Sequence, residues 1–296
     1  MYTKKIMGVP IACFWSVIAA CVVGIGIGSF CDLSINIALA NVTELGKQAA
    51  SWMLIIPNLF YAAAGACLFV GLKKKNSALA WTLLAAAVFY AVSRSESGYG
   101  IAIRKLFGYE PGESSVFLYL ITWLFWVALY SLEAYAVSLL LDDSNPERLV
   151  AIGAVILIAG ILSGSVNSWL KSFASRPRYK YLLQTDDPGA EYRQWWQMIP
   201  YLPGGDSFKS WPSGHMTSVC IVFTLPMLTD AMKNRSTGKN IAAFCFSCAV
   251  ILLCGYNRIH MTNHFLSDVC FGVLITYLLY CWMSIVFLKA MSPQDS

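Results

Sequence analysis

Residues 149–170 read LVAIGAVILIAGILSGSVNSWL, 22 residues without a charge, bounded by Arg148 on one side and Lys171 on the other. Coiled as an α-helix at about 1.5 Å per residue, a run of this length matches a hydrocarbon core of about 30 Å. No water is at hand in lipid to satisfy a backbone N–H or C=O, so the run must close its hydrogen bonds within itself and be a helix. It is also too long and too continuously apolar for a strand of an outer-membrane barrel, which alternates in character. Seven more apolar runs lie at about 10–30, 52–72, 77–93, 115–141, 215–232, 241–257 and 265–288. The whole chain is 57% apolar and 12% charged with a mean hydropathy of +0.59, values that exclude an ordinary soluble domain. The expected fold is all-α, a polytopic transmembrane helical bundle of about eight spans in one membrane domain.

Basic residues in short loops set the orientation of such a bundle. With the N-terminus inside, Lys4, Lys5, Lys73, Lys74, Lys75, Arg148, Lys233, Arg235, Lys239 and Lys289 share the inner side. The outer side then holds Lys47, Arg94, Arg104, Lys105 and seven basic residues between Lys171 and Arg258. The Lys73–Lys75 hairpin and the Lys233–Lys239 loop decide for a cytoplasmic N-terminus, and the protein is expected in a bacterial plasma membrane. The first apolar run continues past Cys21 to about Phe30, so it reads as an anchor helix rather than a cleaved or lipidated leader. Most of the ten cysteines lie inside apolar runs and are expected to be buried thiols; Cys245-x2-Cys248 has no second pair of ligands beside it. Gly24-x-Gly26-x-Gly28 follows no strand and reads as small residues packing one helix on another. Glu133, near the inner end of the fourth run, is expected to make a structural hydrogen bond.

Against this background the chemistry is concentrated in three pieces. Lys171-Ser-Phe-Ala-Ser-Arg176-Pro-Arg178-Tyr179 follows the fifth run, Pro212-Ser213-Gly214-His215 opens the sixth, and Arg258 to Asp268 joins the seventh to the eighth. An up-and-down bundle brings all three to the outer end. Lys171, Arg178 and Arg258 offer cations, the arginines as planar forks that match two phosphate oxygens and the lysine as a point charge. Proline in a first helical turn, glycine for close backbone approach and free N–H groups at a helix start suit an anion, and Ser213 can donate one bond more. Such groups match the charge that develops on a phosphoryl group in transfer.

Only three histidines occur. His264 and Asp268 stand four apart, so on a helix they would share a face, and the carboxylate would fix the tautomer that leaves the other ring nitrogen free to attack. His264 is therefore the expected nucleophile, Asp268 its orienting partner, and His215 the acid that protonates the leaving oxygen and later activates water. With three cations present, no metal or other cofactor is called for. His260 has no useful partner spacing and is expected to pack, while Asn263 and Tyr256 are expected to support the loop. Arg176 reads as a headgroup-facing basic residue. Between residues 171 and 214 the aromatics Tyr192, Trp195, Trp196, Tyr201, Phe208 and Trp211 accompany Arg193, Lys209 and Pro203-Gly-Gly-Asp206; they either lie at headgroup level or pack a lid.

These three pieces resemble the type-2 phosphatidic acid phosphatase superfamily, whose pattern is Lys-x6-Arg-Pro, Pro-Ser-Gly-His and Ser-Arg-x5-His-x3-Asp. Lys171-x6-Arg178 fits with Tyr179 in place of proline, Pro212 to His215 match throughout, and Arg258-x5-His264-x3-Asp268 fits with Asn257 in place of serine. The resemblance implies a helical core at 149–296, preceded by N-terminal helices at 1–148 that are partly an addition. It also implies a metal-independent phosphatase acting through a phosphohistidine near the membrane surface. An extracytoplasmic site in a membrane points to a lipid phosphate or a polyprenyl diphosphate as substrate; the bilayer is the partner and no nucleic acid is involved. A lipid phosphotransferase would use the same residues with an alcohol as acceptor, whereas a transporter or binding protein would not need His264.

Overall fold

The computed structural model describes residues 5–106, 116–197, 199 and 205–290. Lys4, Tyr201 and Pro203-Gly204 lie outside the described residues, as do the side chains of Arg104, Lys105 and Lys289. A two-stranded hairpin, Lys5–Ile6 with Val9–Pro10, leads into α1 (Ile11–Leu39), followed by α2 (Glu44–Met53), α3 (Ile55–Leu72), α4 (Ser77–Leu106), α5 (Val116–Leu140) and α6 (Pro146–Phe173). Short helices α7 (Tyr179–Leu182) and α8 (Pro188–Glu191) lie in the long connection; α9 (Gly214–Val219), α10 (Leu225–Asp230), α11 (Thr237–His260) and α12 (Leu266–Ala290) complete the chain. Polar residues start several helices by satisfying free N–H groups. Asn145 accepts from Arg148 N with Pro146 in the first turn of α6, Ser236 accepts from Lys239 N at α11, and Thr43 accepts from Gly46 N at α2.

Seven helices among the described residues are long and apolar enough to cross a membrane, and the molecule is an integral membrane protein. The sixth apolar run departs from expectation, because it is not one continuous helix. It breaks into α9, a 3-10 turn over Cys220–Thr224, and α10, with Pro226 in the first turn of α10 where its missing N–H costs nothing. These pieces still traverse the bundle: Ser213 N donates to Asp268 O at one end, and Asp230 pairs with Arg148 at the other. Irregular backbone is tolerated at membrane depth because the rod is enclosed in protein, with Val219, Cys220, Ile221 and Val222 fully buried.

Lipid is as apolar as leucine, so helices associate through close packing rather than through escape from water. Ala62, Ala63, Ala64, Gly65, Ala66 and Cys67 accordingly bury the middle of α3 between α4, α5 and α6. Gly153 of α6 sits against it so closely that a Cβ there would lie 2.8 Å from the Ala64 carbonyl. All ten cysteines are free. Glu133 Oε2 is buried without a hydrogen-bond partner.

The connections sort to two ends. At one, Asn240 Nδ2 donates to Gly8 O at 3.0 Å, Lys74 pairs with Asp143 at 3.1 Å and Arg235 with Asp142 at 2.9 Å. At the other, Asn41 N donates to His260 O at 3.0 Å, Asn36 Nδ2 to His264 O at 3.2 Å and Lys180 N to Thr262 O at 2.8 Å. The three motifs thus meet at a single end, opposite the Lys73–Lys75 turn and the Lys233–Lys239 loop.

Candidate active site

His264 is buried, 1% exposed, in the five-residue turn between α11 and α12. It precedes α12 instead of lying on it, so the shared helical face expected for His264 and Asp268 does not form. Its Nδ1 stands 3.9 Å from Asp268 Oδ2, beyond hydrogen-bond reach, and 2.7 Å from the carbonyl of Ser210. A carbonyl only accepts, so Nδ1 carries the proton and Nε2 keeps its lone pair. The orienting partner of the ring is therefore a backbone oxygen. Asp268 acts one step further out: its Oδ2 accepts from Ser210 Oγ at 2.6 Å and from Phe265 N at 2.9 Å, the second bond closing the first turn of α12.

Arg176 is the largest departure from expectation, for it does not face the headgroups. It is 3% exposed, and all five of its N–H bonds are used. Nε donates to Arg193 O (2.9 Å), one terminal nitrogen to Ser267 Oγ (2.8 Å) and Asp268 Oδ1 (2.6 Å), the other to Asp32 Oδ2 (3.0 Å) and Tyr192 Oη (3.1 Å). The Phe265 ring lies 4.4 Å from its guanidinium carbon. Burial works against the cation, and Asp268 with Asp32 outweigh it, so its pKa is raised.

Arg178, two residues on, has the opposite surroundings. It reaches Asn263 Oδ1 at 3.2 Å and the exposed Asp206 at 2.7 Å, and its Nε is buried without a partner. Burial holds its pKa below the usual arginine value against the pull of Asp206 and Asp268. Lys171, in the last turn of α6, donates to Lys209 O at 2.6 Å. Arg258, near the end of α11, is 4% exposed with Nε likewise unpartnered. Ser213 is the residue before α9 and Gly214 its first, so Pro212 stands outside the helix rather than in its first turn. Ser213 Oγ is fully buried and unbonded. Three orphaned donors, on Ser213, Arg178 and Arg258, are what an anionic ligand would satisfy. Among the described residues no group of three or more His, Cys, Asp or Glu gathers as a metal site.

Burial, then Lys171, Arg258, Arg178 and His215, hold the His264 pKa well below its ordinary value. Lys171 lines a separate cavity of about 260 Å³ with Ser168, Ser172, Ser175, Gly205, Phe208 and Lys209. His215 and Arg258 line a cavity of about 320 Å³ with Asn263, Met261 and four α2-side residues, Lys47, Ala50, Ser51 and Leu54. His215 also lines a second, of about 170 Å³, with Asn58, Tyr61, Arg94 and Ser218.

The aromatics of the long connection mostly pack. Trp195 and Trp211 pack tilted or edge-on against Phe271, Tyr192 edge-on against Phe265 and Phe208 tilted against Tyr181, while Trp196 is half exposed. His260 stacks on Tyr256 and contacts Leu39 O through Nδ1, and Asn263 braces Met261 O. Asn257, where the motif has serine, donates to Gly46 O of α2. Sequence reading missed Ser210, Ser267 and Asp32. For Asp32 a signal existed: a carboxylate within two residues of an apolar span, where charge is costly.

Residues 148–292 match the family model described as PAP2 superfamily. Neither curated proteins nor solved structures gave a match. The match covers all three motifs and supports a phosphatase-type, phosphoester-hydrolysing function. Through this C-terminal half the chain belongs to the PAP2, or type-2 phosphatidic acid phosphatase, superfamily.

Proposed function

We propose that this protein is a metal-independent phosphatase that hydrolyses a lipid phosphate or a polyprenyl diphosphate through a phosphohistidine, at the extracytoplasmic face of a bacterial plasma membrane. The observation that carries the reading is the state of His264: its Nδ1 proton is spent on Ser210 O, leaving Nε2 as nucleophile beside three cations. In the first step Nε2 attacks phosphorus, the bond to the lipid oxygen breaks, and His215 gives that oxygen its proton. Water then attacks the phosphohistidine, His215 takes the water proton, and the P–N bond breaks to release phosphate and neutral His264. Lys171, Arg178, Arg258, Ser213 Oγ and the N–H of Gly214 hold the phosphoryl oxygens in both steps. The three fixed cations supply the charge that a metal would otherwise bring.

A lipid substrate is supported by the wall of the larger cavity, where Ala50, Leu54 and Met261 adjoin His215 and Arg258 at the end of an apolar bundle. The smaller cavity beyond His215 favours a second reading, in which an acceptor alcohol there replaces water and the enzyme is a phosphotransferase. Labelled lipid phosphate, mixed rapidly with enzyme and quenched into alkaline denaturant, tests the scheme. Label on His264 that vanishes in His264→Ala is expected; label on His215, or on neither, overturns it. Product analysis with and without an acceptor lipid separates hydrolysis from transfer.

A further inference from the structure

Helix α1 lies outside residues 148–292, yet it enters the site. A Cβ on Gly24 would collide with Cys270 Sγ, and one on Gly28 would lie 2.7 Å from Asp32 Oδ1 and 2.9 Å from Ser267 N. Gly26, between them, would meet nothing within 4 Å. Two of the three glycines thus let α1 come down on the first turn of α12, and the close approach delivers Asp32, 1% exposed, to Arg176.

Asp32 Oδ1 accepts from Ser267 N at 3.1 Å, and Oδ2 accepts from Arg176 and from the Ser267 hydroxyl. Ser267 Oγ itself accepts from Arg176, so serine, arginine and carboxylate form one closed set. Asp268 likewise meets only donors: Arg176, Ser210 Oγ and Phe265 N. Both carboxylates thus close around one guanidinium, beside the three motif cations. Ser210 is held by the same cluster, since its N donates to Arg176 O at 3.1 Å and its hydroxyl to Asp268, while its carbonyl holds His264.

We infer that Asp32 is a positioning residue of the active site, fixing Arg176 and through it Asp268, Ser210 and the ring of His264, so that α1 belongs to the catalytic unit. The inference rests on the phosphohistidine reading. A merely structural Asp32 would change how much protein folds, whereas a positioning Asp32 changes the rate per folded molecule.

Exchange of heavy-oxygen-labelled inorganic phosphate with water measures that rate whichever lipid is the substrate. Phosphate bound to His264 loses one oxygen as water, protonated by His215, and regains another when the phosphohistidine hydrolyses. Asp32→Asn is expected to slow exchange per folded molecule by about 10- to 100-fold, the usual cost of losing an outer orienting partner. Apparent phosphate affinity should move by less than about threefold, because ground-state binding is untouched. Gly28→Ala should slow exchange in the same sense and Gly26→Ala should not. A wild-type rate in folded Asp32→Asn overturns the inference, as does a loss confined to affinity. If Asp32→Asn does not fold, equal rates in the two glycine variants overturn it. His264→Ala separates the two levels: exchange that persists there sinks the phosphohistidine reading itself, whereas exchange lost in His264→Ala but normal in Asp32→Asn sinks only the role of Asp32.

Discussion

His264 donates its Nδ1 proton to the carbonyl of Ser210 at 2.7 Å, and the hydroxyl of the same serine donates to Asp268 at 2.6 Å. The carboxylate therefore reaches the nucleophile through one residue. Ser210→Ala keeps the carbonyl but frees it from Asp268. Losing one such bond costs about 0.5–1.5 kcal/mol, or about two- to tenfold in the rate of phosphoenzyme formation. Asp268→Asn should cost more, because Arg176 loses a charge partner too. Since both variants interrupt one chain, the double variant should be little slower than Asp268→Asn alone; rates that multiply in rapid-quench experiments would show that Asp268 acts independently of Ser210.

Arg176 and Arg178 should separate stability from chemistry. Lysine keeps the charge but has at most three donors for the five acceptors of the Arg176 fork, and each buried acceptor left unmet costs about 1–3 kcal/mol. Arg176→Lys is thus expected to lower the unfolding temperature in detergent markedly. Arg178→Lys, whose partner Asp206 is 65% exposed, should stay within about 1 kcal/mol of wild type while binding phosphate less well. Equal stability of the two variants would contradict the buried hub.

What the sequence made legible was what local rules govern. Each long helix follows from an apolar run that must satisfy its own backbone, and the motif order follows from an up-and-down chain. The same rules do not see Ser210 against His264, 54 residues apart, or Asp32 against Ser267, 235 apart. Arg176 and Arg178 look alike in sequence, and only the path of the loop sends one into the bundle and the other to the site. The four-residue spacing of His264 and Asp268 misled because α12 starts after the histidine, at Leu266. In the sixth run apolar composition is the same for a straight helix and for one broken three ways inside protein.

The acid side of the pH profile should follow from His264. Burial and its cationic neighbours disfavour the imidazolium, so the ring stays neutral below the ordinary histidine pKa of about 6.5. Phosphoenzyme formation should accordingly not fall off at that pH through loss of the nucleophile. Stability carries the opposite sign. Below about 6.5 the unfolded chain binds a proton at this histidine and the folded one does not, so stability declines as pH falls, and His264→Asn removes that decline. Thermal melts of the two proteins from neutral to mildly acidic pH provide the check; parallel curves would mean that His264 is protonated in the folded state.

Asp206 offers a gain rather than a loss. It holds Arg178 at 2.7 Å and Lys180 at 3.2 Å. Partial burial pushes its carboxyl up, but Arg178, Lys180 and Lys171 outweigh this and leave it below the usual range. An arriving phosphate must compete with that carboxylate for Arg178 and is repelled by it as well. Exposed pairs are worth about 0.2–1 kcal/mol, so Asp206→Asn should tighten inhibition by inorganic phosphate by about one- to fivefold. The effect should shrink as salt is raised, because screening weakens both the competition and the repulsion. Weaker phosphate inhibition in Asp206→Asn would mean instead that the carboxylate holds Arg178 in its binding position, and that Arg178 needs a partner to face the substrate.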